Sequence, residues 1–236
     1  ETLVCALMAL EKWCLEWADD EGRRERLRPG LEWIMRDTNN VALVAVVASV
    51  CMAHPKAFAT VALDILSCRE FFRRDLERQV SEASALAVGG FGAHDELLQQ
   101  ERMASNALPH RKKQLEDLAR DLQLQGFDEP VHRLIDRYRD EVPLPEVQTE
   151  ADREWRLALD RMDLRRWEVK EASDDGRVVF GMRALEPDVQ AMVDAAQAAQ
   201  QPSHRAMRLY LWGRKAFDQV TEAASPATEW YQMLTE

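Results

Sequence analysis

Glycine and proline are scarce in this chain, with nine of each among 236 residues. Together with 31% charged residues, that scarcity suits a soluble helical protein. Cysteine is scarcer still. Cys5, Cys14, Cys51 and Cys68 form no CxxC pair, and each falls in an apolar or helical setting. They read as buried, reduced thiols in a reducing compartment. No stretch of about 20 apolar residues occurs and no signal peptide stands at the front. Neither a membrane partner nor secretion is indicated, and a cytoplasmic chain is expected. Positive charge is in deficit, with a formal net charge of -11. That balance argues against a nucleic-acid partner, because phosphate binding runs on clustered Lys and Arg. It leaves room for a local basic patch.

The signatures of chemistry are missing as well. A phosphate-binding P-loop needs glycines ending in Gly-Lys-Ser/Thr. "GGFG" at Gly89 to Gly92 has no lysine, no hydroxyl and no strand before it. "GRK" at Gly213 to Lys215 lies inside a helical pattern. His54, His94, His110, His132 and His204 are scattered, and none stands four residues from another. Zinc sites favour ligands on successive turns, so these histidines read as surface or capping residues. There is no GxSxG elbow, and Cys51 lies within an apolar helix where a thiol is inert. The 42 acidic residues offer too many carboxylate pairs for any one to stand out. No catalytic residue, cofactor ligand or metal ligand is therefore expected.

What is present is helical spacing. Leu3, Leu7, Leu10, Trp13, Cys14 and Trp17 recur on one face of a first helix running to about Ala18. Gly22 reads as its stop, and Pro29 as the first turn of a short helix carrying Leu31, Trp33 and Ile34. "TNNVALVAVVASVCMAHP" has no charge between Asn40 and His54. Thr38, Asn39 or Asn40 can cap it, and a dozen residues span roughly 18 Å, too short for a bilayer. A central helix over 41–53, covered by neighbours, is expected. Phe58, Val61, Ala62, Ile65 and Leu66 form the next stripe. Phe71, Phe72, Leu76 and Val80 then form a packing side, opposite a solvated face of Arg73, Arg74, Glu77 and Arg78.

Gly89, Gly90 and Gly92 mark the clearest break. Helices are expected over about 95–107, from Pro109 with Leu115, Leu118, Ala119 and Leu122, and across Val131, Leu134, Ile135 and Tyr138. "VPLPEVQ" reads as an extended linker, and Thr149 with Asp152 as a capping box opening the next helix. The alternation of Trp167, Val169, Val178 and Phe180 around "SDDG" predicts a hairpin near 167–182, one that leans on the helices. Helices return over about 188–200 and, capped by Ser203, over 203–224, with a last piece after Pro226. No fixed period and no TPR or ankyrin pattern occurs. The fold expected is mainly α, an irregular antiparallel helical array, solenoid-like or a bundle, with one small hairpin. Two subdomains are expected, 1–88 around the apolar helix and 89–236 containing the hairpin. A helix in full stride at the first residue, with no Met, predicts a piece of a longer polypeptide.

"DTNNVALVAVVASVCMAHPKAFATVALDILSCREFFRRD", "LPHRKKQLEDLARDLQ" and "DREWRLALDRMDLR" together resemble the helical region of very large bacterial NTPases of the STAND type, including those of antiphage defence. The likeness rests on packing residues over about half the chain. It implies a spacer or sensor array that follows an ATPase core, with the ATP site outside these residues and no functional residue carried over.

The function expected is a non-catalytic scaffold or sensor module that mediates protein interaction or signal transmission. A free-standing helical adaptor binding a protein or peptide is the alternative, and an enzyme whose site is assembled only by folding is a third reading. Arg111, Lys112 and Lys113 follow Pro109 at a helix start, the wrong end for cations, and are candidates for an anion or partner contact. Of seven tryptophans most read as core, while Trp230 beside Tyr231 is a candidate to face a partner.

Overall fold

Asn40 decides how the apolar segment starts. Its side-chain oxygen accepts from the Ala42 amide at 2.9 Å, and that cap opens a helix rather than a strand. A computed structural model describes residues 2–85, 100, 103–172 and 178–218. Among them are nine α-helices and one antiparallel hairpin, so the fold is mainly α as expected. In chain order these are α1 (Thr2–Asp19), α2 (Glu21–Asp37), α3 (Val41–Ala53), α4 (Ala59–Leu66) and α5 (Arg69–Ala85), followed by α6 (Leu115–Leu122), α7 (Asp128–Glu141), α8 (Glu150–Met162), β1 (Trp167–Ala172), β2 (Val178–Met182) and α9 (Pro187–Asp218).

The chain divides into two units, Glu1–Arg183 and Ala184–Glu236. The break expected between 88 and 89 falls outside the described residues. Helices on both sides of it share one core, in which Val47, Val50 and Phe58 join Leu118, Leu122, Ile135 and Leu159. Glycine composition carries no information about what the helices on either side of it pack against.

In the first unit α3 touches α1, α2, α4 and α6, while α4 touches α2, α3, α5, α6 and α7. Phe58, Val61, Ala62, Ile65 and Leu66 are each at most 1% exposed. Burying a side chain of the larger kind stabilises by roughly 1.5–3 kcal/mol, which makes α4 a principal source of cohesion. Tyr138 and Trp155 meet edge to face with ring centroids 5.2 Å apart, and the Tyr138 hydroxyl donates to the Leu66 carbonyl at 2.9 Å. Gln123 is buried with every polar atom engaged. Its amide donates to the carbonyls of Ala119 and Met162, and its oxygen accepts from the Leu164 amide at 3.0 Å.

Several boundaries differ from the sequence expectation. Gly22 lies in the first turn of α2, whose N-cap is Asp20, accepting from the Arg23 amide at 2.9 Å. Pro29 sits inside α2 and does not begin a helix. A proline already holds a helical φ, so it costs one N–H bond and some crowding, and burial of Leu27 and Leu31 on either side keeps the helix whole. Pro109 opens a 3-10 turn over Pro109–Lys112, and α6 starts only at Leu115, where Asp117 accepts from the Gln114 amide at 2.8 Å. "VPLPEVQ" contains a second 3-10 turn, Pro145–Val147. The Thr149–Asp152 capping box is present at the head of α8. Of the helix expected over 95–107, residues 103–106 are described and helical. The Gly89–Gly92 stretch, the "SDDG" turn and the piece after Pro226 lie outside the described residues.

The hairpin pairs Trp167 with Met182 and Val169 with Phe180, and its register shifts between Val169 and Glu171. Among the described residues, the base of the hairpin leans on helices. The Trp167 indole N–H donates to the Arg161 carbonyl at 3.2 Å and its ring lies under the Arg120 guanidinium, whereas Val169, Val179 and Phe180 are exposed. In the second unit α9 is one helix of 32 residues with Pro202 inside it, where a break was expected.

Candidate functional site

Glu11 interrupts an apolar stripe. It stands four residues after Leu7 and three before Cys14, so a helix carries it on the same face as both. In the structure it is 8% exposed. Its carboxylate accepts from the Ser49 hydroxyl of α3 and from the Arg111 guanidinium of the 3-10 turn. Asp75 does the same on α5. Leu76 and Val80, expected to pack, are 55% and 60% exposed, because the helix turns Asp75 and Arg78 inward instead. Asp75 accepts from Arg78 Nε at 2.9 Å and from the Leu115 amide at 2.8 Å. Arg78 in turn donates to the Lys113 carbonyl at 3.0 Å. Arg73 and Arg74 stay on the solvated face with Glu77.

These groups form the base of a cavity of about 640 Å³ bounded by α1, α3, α5 and the 3-10 turn. Its walls are mostly apolar, from Leu7 and Met8 of α1, Val41, Ala45 and Ala48 of α3, and Phe71 of α5, and the Arg74–Glu77 pair of α5 also lines it. The size falls within the range of small-molecule sites, about 300–1,000 Å³. Helix α3 is thus core over most of its circumference, but Val41 and Ala45 are exposed and face this space. The expectation of a helix covered on every side holds for Val44, Val46, Val47, Ala48, Val50, Cys51 and Met52 only.

His110 completes the base. Pro109 fixes the first residue of the turn, and a 3-10 turn has about three residues per turn. His110 is 9% exposed while Lys112, two residues on, is exposed. His110 Nε2 is buried without a hydrogen bond, and Glu11 Oε1 lies 3.9 Å away. Burial is the main cause holding this imidazole below its ordinary pKa. Glu11 opposes it, and Arg111, His54 and Arg78 act with burial. The ring is therefore neutral near pH 7. Burial also pushes the neighbouring Cys14 thiol up to about 11, with Glu11 adding to the effect.

Of the residues singled out from sequence, Arg111 is spent on Glu11, and Lys113 pairs with Asp121 at 2.6 Å. Lys112 alone of the three faces solvent. Trp230 and Tyr231 lie outside the described residues. The histidines divide. His54 is the C-cap of α3 and sits 3.3 Å from Asp19, His132 bonds to Gln123, His204 is exposed and His110 is buried in the cavity. Cys14 and Cys51 are buried as expected, but Cys5 is exposed, since it lies off the inward face of α1. Trp13 and Trp33 are exposed as well, whereas Trp155 is core.

A third buried carboxylate, Asp163, is fully covered and closes a different network. It accepts from Arg139 at 2.7 Å, from the Arg165 side chain at 2.8 Å and from the Arg165 amide at 3.0 Å. Asp136 and Asp160 hold the outer faces of the same arginines. These pairs lock α7 to α8. Among the described residues no group of three His, Cys, Asp or Glu side chains is placed to hold a metal ion, and no helix is long and apolar enough to cross a membrane.

No family model matches this chain, and no curated protein matches it.

Proposed function

We propose that this chain is a non-catalytic helical module that receives a ligand in the α1–α3–α5 cavity and passes the event on through helix packing. In this reading it serves as the cytoplasmic scaffold or sensor segment of a large bacterial NTPase of antiviral type. Protein contacts, within the parent chain or with a partner, carry the output. One observation supports it above others: a cavity of about 640 Å³ with mostly apolar walls, whose acidic groups are already bound to protein donors. Such a site is built to hold rather than to transform. The same cavity serves the alternative of a free-standing adaptor equally well.

An enzyme is the second reading, favoured by the convergence of Glu11, Asp75 and His110 on one space. It stands second because Glu11 and Asp75 each accept two hydrogen bonds from the protein, and the Ser49 hydroxyl points at Glu11 and not at an imidazole. A nucleophile needs its base within hydrogen-bond reach.

Two measurements test the proposal. Mg–ATP should leave the melting temperature of the chain unchanged, and a clear rise would place a nucleotide site within these residues. Met8→Glu with Ala45→Glu, both at exposed positions, should cost less than about 1 kcal/mol of stability, as surface changes do. A loss of several kcal/mol would mean that this face is covered core and not a receiving surface.

A further inference from the structure

Among the described residues the sheet has two strands, so β1 and β2 each leave an outer edge without a partner strand. On β1 the register shift between Val169 and Glu171 breaks the row of backbone groups, as a bulge does. The edge of β2 is the regular one. The Arg183 amide, just past β2, donates to the Arg166 carbonyl at 2.8 Å and so faces β1. Backbone groups in an antiparallel pair alternate between inward and outward. Gly181 therefore also turns toward β1, while Val178, Phe180 and Met182 turn their N–H and C=O groups outward. Their side chains share one face with Val169, opposite Phe180, and Trp167, opposite Met182. Val169, Val178 and Phe180 are 56%, 45% and 59% exposed. Strand β2 carries no charge and no proline, the devices by which natural edges discourage pairing. A lone hairpin is marginal in water, so a third strand would stabilise it.

The other face of the hairpin is positive. Lys170 lies across Gly181, where a Cβ would come within 2.7 Å of its Cγ. Lys170 and Arg183 share one carboxylate, Glu168, at 2.5 Å and 3.8 Å. Two cations on one acid leave a positive excess there. A second copy of the chain would bring the same cations to the same face, and each chain carries a net charge of -11. We infer that β2 accepts an extended segment of a partner protein as a third strand, one in which apolar residues alternate with acidic ones. Main-chain bonds to Val178, Phe180 and Met182 hold it, its apolar residues cover their side chains, and its carboxylates meet Lys170 and Arg183. This surface stands independently of the α1–α3–α5 cavity.

The test uses the whole chain and a blocked heptapeptide alternating glutamate and valine. The peptide in excess should slow amide hydrogen exchange at Phe180 and Met182, read by NMR, by about tenfold or more, with a smaller change at Gly181 and Arg183. The same peptide N-methylated at alternate residues should give no protection, and a peptide alternating lysine and valine should bind more weakly. Phe180→Lys, at an exposed position, should abolish binding of the labelled glutamate peptide in fluorescence anisotropy, with circular dichroism and melting temperature unchanged. Absent protection, equal protection by the N-methylated peptide, equal binding of the lysine peptide, or binding that survives Phe180→Lys would each overturn the inference. Sedimentation equilibrium without peptide should show a monomer. A dimer that Phe180→Lys dissolves would make a second copy the occupant and overturn it too. Should Phe180→Lys disturb the hairpin, Val178→Lys on the same edge replaces it with the same outcomes.

Discussion

Replacing Asp163 with alanine takes away the acceptor of two guanidinium groups at a fully buried point. Asp163 accepts from Arg139 Nη1 at 2.7 Å, from Arg165 Nε at 2.8 Å and from the Arg165 amide at 3.0 Å. Removing one partner of a buried ion pair costs roughly 3–5 kcal/mol, because the other charge stays behind. Here both arginines keep a second carboxylate, Arg139 with Asp160 at 3.0 Å and Arg165 with Asp136 at 3.0 Å. The expected loss is therefore at the low end, about 3 kcal/mol. In urea, with an m-value of about 2 kcal/mol/M, the midpoint should fall by about 1.5 M with the slope unchanged. The melting temperature should fall by about 6–12 °C for a domain of this size. The pH dependence is a separate check. Burial raises the Asp163 pKa, but the bonds from Arg165 and Arg139 outweigh it and hold the carboxyl below its ordinary range. A carboxyl depressed in the fold stabilises above its unfolded pKa, and that contribution disappears as pH falls through the folded value. The stability gap between the native chain and Asp163→Asn should thus be full above about pH 5 and shrink steadily toward pH 2. Tryptophan fluorescence during urea titration across this range reads both quantities. A loss below about 1 kcal/mol for Asp163→Ala, or a gap that ignores pH, would refute the account of this network.

Three further expectations follow from the same geometry. Burial pushes the Tyr138 hydroxyl up to about 12, so stability is intact below about pH 10 and declines as pH rises toward 12. Absorbance titration at 295 nm should show one late phenol that Tyr138→Phe removes, at a stability cost of about 1 kcal/mol for the orphaned Leu66 carbonyl. Gly126 has φ of 89°, so Gly126→Ala should destabilise by about 1 kcal/mol, whereas Gly30→Ala, inside α2 with open space around it, should stabilise by about 0.5–1 kcal/mol. Thiol labelling at pH 8, resolved by peptide mass spectrometry, should modify Cys5 first and Cys68 next. Cys14 and Cys51, whose thiols burial holds high, should react only on unfolding.

The sequence was most legible where structure is local. The caps at Asn40 and Thr149, the stripe from Phe58 to Leu66, and the inward sets of α6 and α7 follow from spacing of three and four residues. Proline misled at Pro29, Pro109 and Pro202, since a proline weakens a helix without forbidding it, and its neighbours decide. The candidate site was hardly legible. Arg111 and Lys113 stand out in the sequence by charge, and the carboxylates they pair with, Glu11 and Asp121, come from folding. Glu11 and Asp75 left one trace, a charge within an apolar stripe, and His110 left none.

Sequence by itself determined that this chain is helical and which face of most helices turns inward. Those properties depend on backbone propensity and on side chains within one or two turns of each other. Only the tertiary structure decided that Glu11, Ser49, His110, Asp75 and Arg111 share the base of one cavity. Glu11 meets Ser49 across 38 positions and Arg111 across 100. The pairing of buried charges is settled by which helices pack together, and that is a property of the assembled core rather than of any segment of the chain.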